Sequence, residues 1–348
     1  MPMVLPKMAE PASLTRAPRF RVADILRARF GAAVLGALLG GCGLPETLEE
    51  ACPASFAGDD LLEPAAWDVL WRVSCHRRFV GLGVGRVTKP AQRAAEAHAA
   101  YLEQNGVLDP ASERYATTLA DLFFEDPGWP SFTGVTALER LQAAEMPQAL
   151  DGAVLTWDLF LGDVGVDPDA FFHDPYLRDV LFQPGWLGGG MATLPNAETG
   201  GRAGYLNLLF SFPSGLRTWK PVVYPREGQE GVPLSWRPRG PEDPLGSAAA
   251  VGFPITVTVG SDAVVGSDNP YELSAEAASL VDEDGVEVPL AMAGPGVYPW
   301  GDVLSTMAFA PAIPLRPGTT YTFTATVTWN IRSAEVSTTF TTLGAAGP

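Results

Sequence analysis

The chain is poor in the side chains that usually carry chemistry. Its 348 residues hold three histidines and three cysteines. His76, His98 and His173 are widely spaced, and no cysteine pair has the CxxC spacing of a redox or zinc site. Positive charge is scarce as well, with 23 Lys and Arg against 40 Asp and Glu and a formal net charge of −17. Without a basic face the chain has no means of gripping phosphates, so no nucleic-acid partner is expected. Electrostatic attachment to anionic lipid headgroups is not expected, on the same ground. The apolar run Phe30–Gly41 is 12 residues long, and a bilayer span needs about 20. Catalytic signatures are missing too. Phe212-Pro-Ser-Gly215 is not a Gly-x-Ser-x-Gly elbow, and Gly81-Leu-Gly-Val-Gly85 has its third glycine one residue early for a dinucleotide fingerprint.

What is present describes a globular, exported chain. Hydrophobic residues make up 47% and charged residues 18%, and 37 Gly with 32 Pro imply many turns. The length suits two domains once a targeting segment is set aside. Arg16, Arg19, Arg21, Arg27 and Arg29 precede the apolar run, and small residues follow it, the layout of a secretory signal. Leu39-Gly-Gly-Cys42 resembles a bacterial lipobox, which implies diacylation of Cys42 and removal of residues 1–41. The expected partner is then a membrane reached through a lipid anchor, at the outer membrane or cell surface. Cys52 and Cys75 remain as an even pair in an oxidising compartment. They are expected to form a disulfide tying the start of the mature chain to a helix around Trp67–Arg78; two buried thiols are the alternative.

Residues 42–60 read as a linker and 61–225 as a first folded region. Its central element is a helix over 89–104, with Pro90 in the first turn and Asn105-Gly106 as a left-handed stop. Ala94, Ala97, His98, Tyr101 and Leu102 recur at helical spacing and predict a buried stripe. On that stripe His98 is expected to be a hydrogen-bonded structural residue. His76, beside Arg77 and Arg78, is expected to be solvated at a helix end. Gly81–Arg86 reads as a loop, Thr136 as the N-cap of a helix carrying Leu138 and Leu141, and 167–182 as a helix-and-turn unit. Strands are expected around Tyr205–Phe212 and Val222–Tyr224.

The succession of pieces carries a resemblance. It runs from Ala97-His-Ala-Ala-Tyr-Leu102 with Asn105-Gly106, through Glu125-Asp-Pro-Gly-Trp-Pro-Ser-Phe-Thr-Gly134, to Asp174-Pro-Tyr-Leu-Arg178 and Val222-Val-Tyr-Pro225. Over roughly Trp67 to Trp236 this resembles the bacterial branch of the CAP superfamily (cysteine-rich secretory, antigen 5, pathogenesis-related). The resemblance implies an α-β-α sandwich with a small antiparallel sheet and a surface cleft. It also implies a cleft whose His/Glu cluster can hold a divalent metal, and here that pattern is eroded. Phe123 stands for the loop histidine, Gln148-Ala-Leu-Asp151-Gly replaces the glutamate-bearing segment, and Leu177 replaces a second histidine. Phenylalanine and leucine neither move protons nor bind metal, so neither metal nor cofactor is expected. The residues left as cleft candidates are His98, Glu125, Asp151, His173 and Arg178.

From 226 to 348 the composition changes to short alternating segments broken by Pro and Gly. Pro254–Gly260 alternates as a half-buried strand should, and Ala278–Leu290 predicts two strands around Asp284-Gly285. Asp282-x-Asp284-Gly285 lacks the following glutamate of a calcium loop. In Thr320–Trp329, threonines alternate with Tyr321, Phe323, Ala325 and Val327, which gives one wet and one apolar face. The frame resembles bacterial Ig-like domains, which implies an all-β sandwich used as a spacer or adhesion unit. The expected fold class is therefore α+β. The expected activity is non-catalytic binding of a protein, glycan or lipid ligand. A residual envelope hydrolase or metal-dependent enzyme is one alternative. A carrier for a small apolar ligand, lined by Phe123, Phe124, Trp129 and Phe132, is another.

Overall fold

The computed structural model describes residues 44–116, 119–146, 154–163, 169–197, 199–211, 220–238, 243, 245, 250–259, 273–295, 305–329 and 332–345. The expected signal segment, Cys42 and Asp151 lie outside these. Residues 44–348 form one compact unit that mixes helices with open sheets, an α+β fold. No helix among the described residues is long and apolar enough to cross a membrane.

Helix α1 (Leu48–Ala51) opens on a reciprocal capping box between Thr47 and Glu50. Helix α2 (Pro64–Phe79) begins with proline at its first position. A Cys52–Cys75 disulfide, spanning 23 residues, ties the end of α1 to α2. Helix α3 (Lys89–Gln104) starts where the Thr88 hydroxyl accepts from the Ala91 N–H and stops at Asn105, with Gly106 at φ 63°. Its buried stripe is broader than the predicted one. Ala91, Ala95 and Ala99 join Ala94, His98, Tyr101 and Leu102, while Ala97 is half-buried.

The first sheet has the order β1-β3-β4-β2, built from β1 (Arg86–Val87), β2 (Val154–Asp163), β3 (Trp186–Asn196) and β4 (Gly201–Ser211). Only β1 against β3 is parallel. Helices cover both faces. Ala192, Leu194 and Tyr205 pack with Ala95, Ala99 and Leu102 of α3. Met191, Leu206 and Leu208 share the opposite core with Val69, Leu70 and Val73 of α2. Gly190 explains how close α3 comes: a Cβ there would sit 2.3 Å from the Ala91 carbonyl group. Short helices α4 (Leu119–Phe123), α5 (Ala137–Ala143), α6 (Ala170–His173) and α7 (Pro175–Leu181) complete this part. As predicted, Thr136 caps α5, reciprocally with Glu139.

Two further four-stranded sheets follow. One has the order β5-β7-β10-β9 and contains β5 (Val222–Tyr224), β7 (Ile255–Thr258), β9 (Leu290–Ala293) and β10 (Thr306–Pro311). The other, β6-β12-β11-β8, contains β6 (Gln229–Val232), β8 (Leu273–Asp282), β11 (Thr320–Trp329) and β12 (Arg332–Thr342). They pack face to face, with Phe309 of one 4.9 Å from Phe323 of the other, centroid to centroid. In β11, Tyr321, Phe323, Ala325 and Val327 are buried between threonines, as the alternation predicts.

Two expectations for this part need correction. Strand β7 is not half-buried: all four of its residues are buried, as are all six of β10. The outer face of their sheet is covered by α7, where Arg178 bonds to Thr256 and Asp179 to Ser305. The second concerns Ala278–Leu290, whose two arms do pair around Asp284-Gly285, Val281 bridging Glu287, but only briefly. The chain does reverse at Asp282, whose Oδ1 accepts from the N–H groups of Asp284 and Val286. Leu290–Ala293 then crosses to the other sheet and pairs with β10.

Candidate functional site

Of the five cleft candidates, the fold brings two together. His98 comes from the middle of α3 and Glu125 from the loop after α4. Their ring Nδ1 and Oε1 lie 2.9 Å apart, and both side chains are wholly inaccessible to solvent. The loop is held against α3 by its own polar groups: the Asp126 N–H donates to the Tyr101 hydroxyl, and Asn105 donates to the Pro130 carbonyl. Glu125 accepts further bonds from the N–H groups of Thr133 and Gly134 and from the Thr133 hydroxyl. Burial would raise its pKa, but the bonds from His98, Thr133 and Gly134 and the charge of His98 outweigh that and lower it. On the other ring nitrogen, Nε2 of His98 faces the Leu122 carbonyl at 2.9 Å. A carbonyl only accepts, so Nε2 carries a proton. On its other side the ring meets the Glu125 carboxylate, so both ring nitrogens are bonded within the protein. Tyr205 stacks at a tilt over the ring at 4.3 Å, and its hydroxyl accepts from the buried Arg140.

His173 and Arg178 stand elsewhere. Arg178 is completely buried between Tyr224 and Phe253, its guanidinium 4.8 and 4.7 Å from the two ring centroids. Its donors go to the carbonyls of Phe172, Pro254 and His173 and to the Thr256 hydroxyl. Burial lowers its pKa to about 10. It is a pin between α7 and the strands, not a cleft residue. Asp151 lies outside the described residues, so its place relative to Glu125 is not defined.

A second histidine centre was not anticipated. His76 is 2% exposed, not solvated. Val69, Val73 and His76 follow one another at i, i+4 and i+7 on the buried face of α2, so the helical spacing did contain the signal. Its Nε2 lies 2.8 Å from Asp169 Oδ1, and Asp169 is also clasped by two nitrogens of Arg72. Phe172 stacks on the imidazole at 3.7 Å. Burial pulls the His76 pKa down to about 4, against the opposing pull of Asp169. For Asp169, burial raises the pKa, but the bonds from Arg72 and His76 prevail and hold it well below the usual carboxylate range. His76 therefore keeps one proton, on Nε2, and its Nδ1 has no hydrogen-bond partner among the described residues. This dyad borders a cavity of about 570 Å³ that also receives His173 and Tyr224.

A separate hollow of about 590 Å³ lies on the outer side of the Glu125 loop. Phe124 and Trp129 line it with Tyr101, Arg114 and Asp126, whereas Phe123 and Phe132 are not among its lining residues. Among the described residues no group of three or more His, Cys, Asp or Glu side chains has the arrangement of a metal site. In their chemistry the two histidine centres therefore differ. His98 and Glu125 have used their bonding capacity on each other and on the backbone, while His76 keeps a ring nitrogen that is buried and has no partner among the described residues. Compared with known proteins, the chain matches no family model and no curated sequence.

Proposed function

We propose that this is an exported envelope protein, anchored through lipid on Cys42, that works by binding rather than by catalysis. Its first part is read as a CAP-like domain with a degenerate cleft, and its second as an Ig-like sandwich. Helices on both faces of a small mixed sheet support the first assignment. Two face-to-face four-stranded sheets support the second. The Cys52–Cys75 disulfide fits an oxidising compartment.

One observation carries the non-catalytic reading: the His98–Glu125 pair is sealed from solvent and its polar atoms are bonded within the protein. A base or metal ligand has to reach its reactant within hydrogen-bond or coordination distance, and these atoms face only protein. Against the enzyme alternative, built on Glu125, Asp151 and His173, Glu125 and His173 border different cavities. The deciding experiment is metal analysis of the purified chain together with zinc titration by calorimetry. The expected result is no stoichiometric uptake. Uptake of one equivalent that disappears in His98→Asn would overturn the proposal. Anchoring has its own test: radiolabelled palmitate should enter the wild-type chain and not Cys42→Ala.

A second reading rests on Phe124, which is 53% exposed beside Trp129 in the outer hollow. An apolar side chain left that open fits a carrier of a small apolar ligand. Lipid found by mass spectrometry in the wild type, and lost in Phe124→Ser, would favour it.

A further inference from the structure

We propose that residues 44–52 form a strap latched by the Cys52–Cys75 disulfide, and that a dithiol reductant releases it and opens the cavity beside Asp169. The strap contributes Glu46, Thr47, Leu48 and Glu49 to the lining of that cavity, of about 570 Å³. One of these carboxylates answers a charge on the body. The pKa of Arg72 is raised chiefly by its bond to Asp169, and the charge of Glu49 raises it further. The body's share of the lining is anchored by a core of its own, with Val69 and Val73 of α2 and Phe171 and Phe172 of α6 buried in it.

The strap has little of that kind. Ala51 is its one buried residue, and Leu44, Glu46, Thr47, Glu49 and Glu50 are exposed. Helix α1 has four residues, far below the ~12 at which a helix begins to hold by itself in water. Among the described residues its hydrogen bond to the body is the one from the Arg226 guanidinium to the Pro45 carbonyl. Just beyond it, the Trp71 ring N–H donates to the Pro53 carbonyl. Ordering the strap costs more chain entropy than two hydrogen bonds and one buried alanine return. The covalent bond to α2 supplies the difference. Its reduction therefore frees the strap and leaves the body folded. Cys52 is half-buried and Cys75 wholly buried, so attack falls on the Cys52 sulfur. One thiolate of the reductant bonds to that sulfur, the S–S bond breaks, and Cys75 leaves and takes up a proton. The second thiol of the reductant then closes on the first and releases Cys52 as a thiol. Two electrons and two protons pass to the protein, and the reductant ends as its own disulfide. This inference goes beyond the binding reading and rests neither on the CAP-like assignment nor on acylation of Cys42.

The test is hydrogen exchange read by mass spectrometry on the oxidised full chain, on the same chain after dithiothreitol, and on Cys52→Ala/Cys75→Ala. Reduction should speed exchange in residues 44–52 by about tenfold or more, while α2 around Leu70 and strands β3 and β4 keep their protection. The double variant should exchange fast in the strap without reductant and should not respond to it. Opening of the cavity is read by diethylpyrocarbonate labelling of the histidines. His173, half-buried and lining the cavity, should gain label severalfold on reduction, and His98, sealed in the other centre, should not. The proposal is overturned if reduction leaves strap exchange unchanged. It is overturned equally if α2 and the sheet lose protection together with the strap, since the bond would then staple the whole fold. Fast strap exchange without new label on His173 would overturn it too.

Discussion

His98 and Glu125 illustrate what burial does to a hydrogen-bonded pair. The ring and the carboxylate meet at 2.9 Å in a dry surrounding, and each is bonded to the backbone as well. Removing one partner leaves the polar atoms of the other buried and unsatisfied. Glu125→Ala should therefore cost ~3–5 kcal/mol in urea unfolding, and His98→Phe/Glu125→Leu less than the sum of its two single changes. Additivity would mean that the two are not coupled. His76 predicts a pH dependence with a definite sign. Its folded pKa of about 4 lies below the ordinary histidine value near 6.5, so the unfolded chain binds the extra proton first. Stability should be level above pH 6.5 and fall by ~3 kcal/mol as pH drops toward 4, with Asp169 adding to the loss at lower pH. Urea midpoints from pH 8 to pH 4 measure this, and His76→Gln should flatten the upper part of the slope. The burial of His98 was legible from helical spacing. That of His76 was obscured by Arg77 and Arg78, which suggested a wet helix end. Arg77 is itself wholly buried, with its guanidinium bonded to the carbonyls of Gly83, Leu181 and Gln183.

The elements that announced themselves did so through capping chemistry and clean periodicity: α3 with Thr88 and Asn105-Gly106, α5 with Thr136, and β11 with its alternating threonines. Strand β3 was hidden because Gly188–Gly190 has no side chains to mark a strand, and glycine is depleted in strands generally. The structure supplies the reason for them, since a Cβ at each would meet backbone at 2.4 Å or less. Gly190→Val should push α3 off the sheet and destabilise by at least ~2 kcal/mol, measurable as a lowered urea midpoint. Joining α1 to α2 across 23 residues, the disulfide should contribute ~3 kcal/mol by limiting the unfolded chain. Cys52→Ala/Cys75→Ala should lose that amount, and added reductant should then have no further effect on the variant.

At the scale of the whole molecule, the strand-rich part is not an independent bead. One core runs from Val69 and Phe172 through Tyr224 and Phe253 to Phe323 and Phe340. Arg178, Asp179 and Tyr176 bond across the same boundary, to Pro254, Ser305 and Asp243. Local alternation in β7 could not reveal this. Whether its threonines meet water or a helix depends on what lies across the sheet. Expressing residues 226–348 alone would remove Arg178 from Thr256 and Tyr176 from the cluster around Ala308 and Ala310, and delete edge strand β5. That fragment should bind a hydrophobic dye and unfold non-cooperatively, whereas residues 44–348 should melt in a single transition. The cross-link at Cys52 also sets a leash. It lies ten positions after Cys42, and even a fully stretched chain of that length reaches only about 35 Å. On the proposed acylation of Cys42, a pull from the membrane would reach the body first at Pro45, whose carbonyl accepts from Arg226, and then at Cys52, which passes it into α2. The body would then stay within that reach of the lipid surface, with Glu46 and Glu49 at the tethered end.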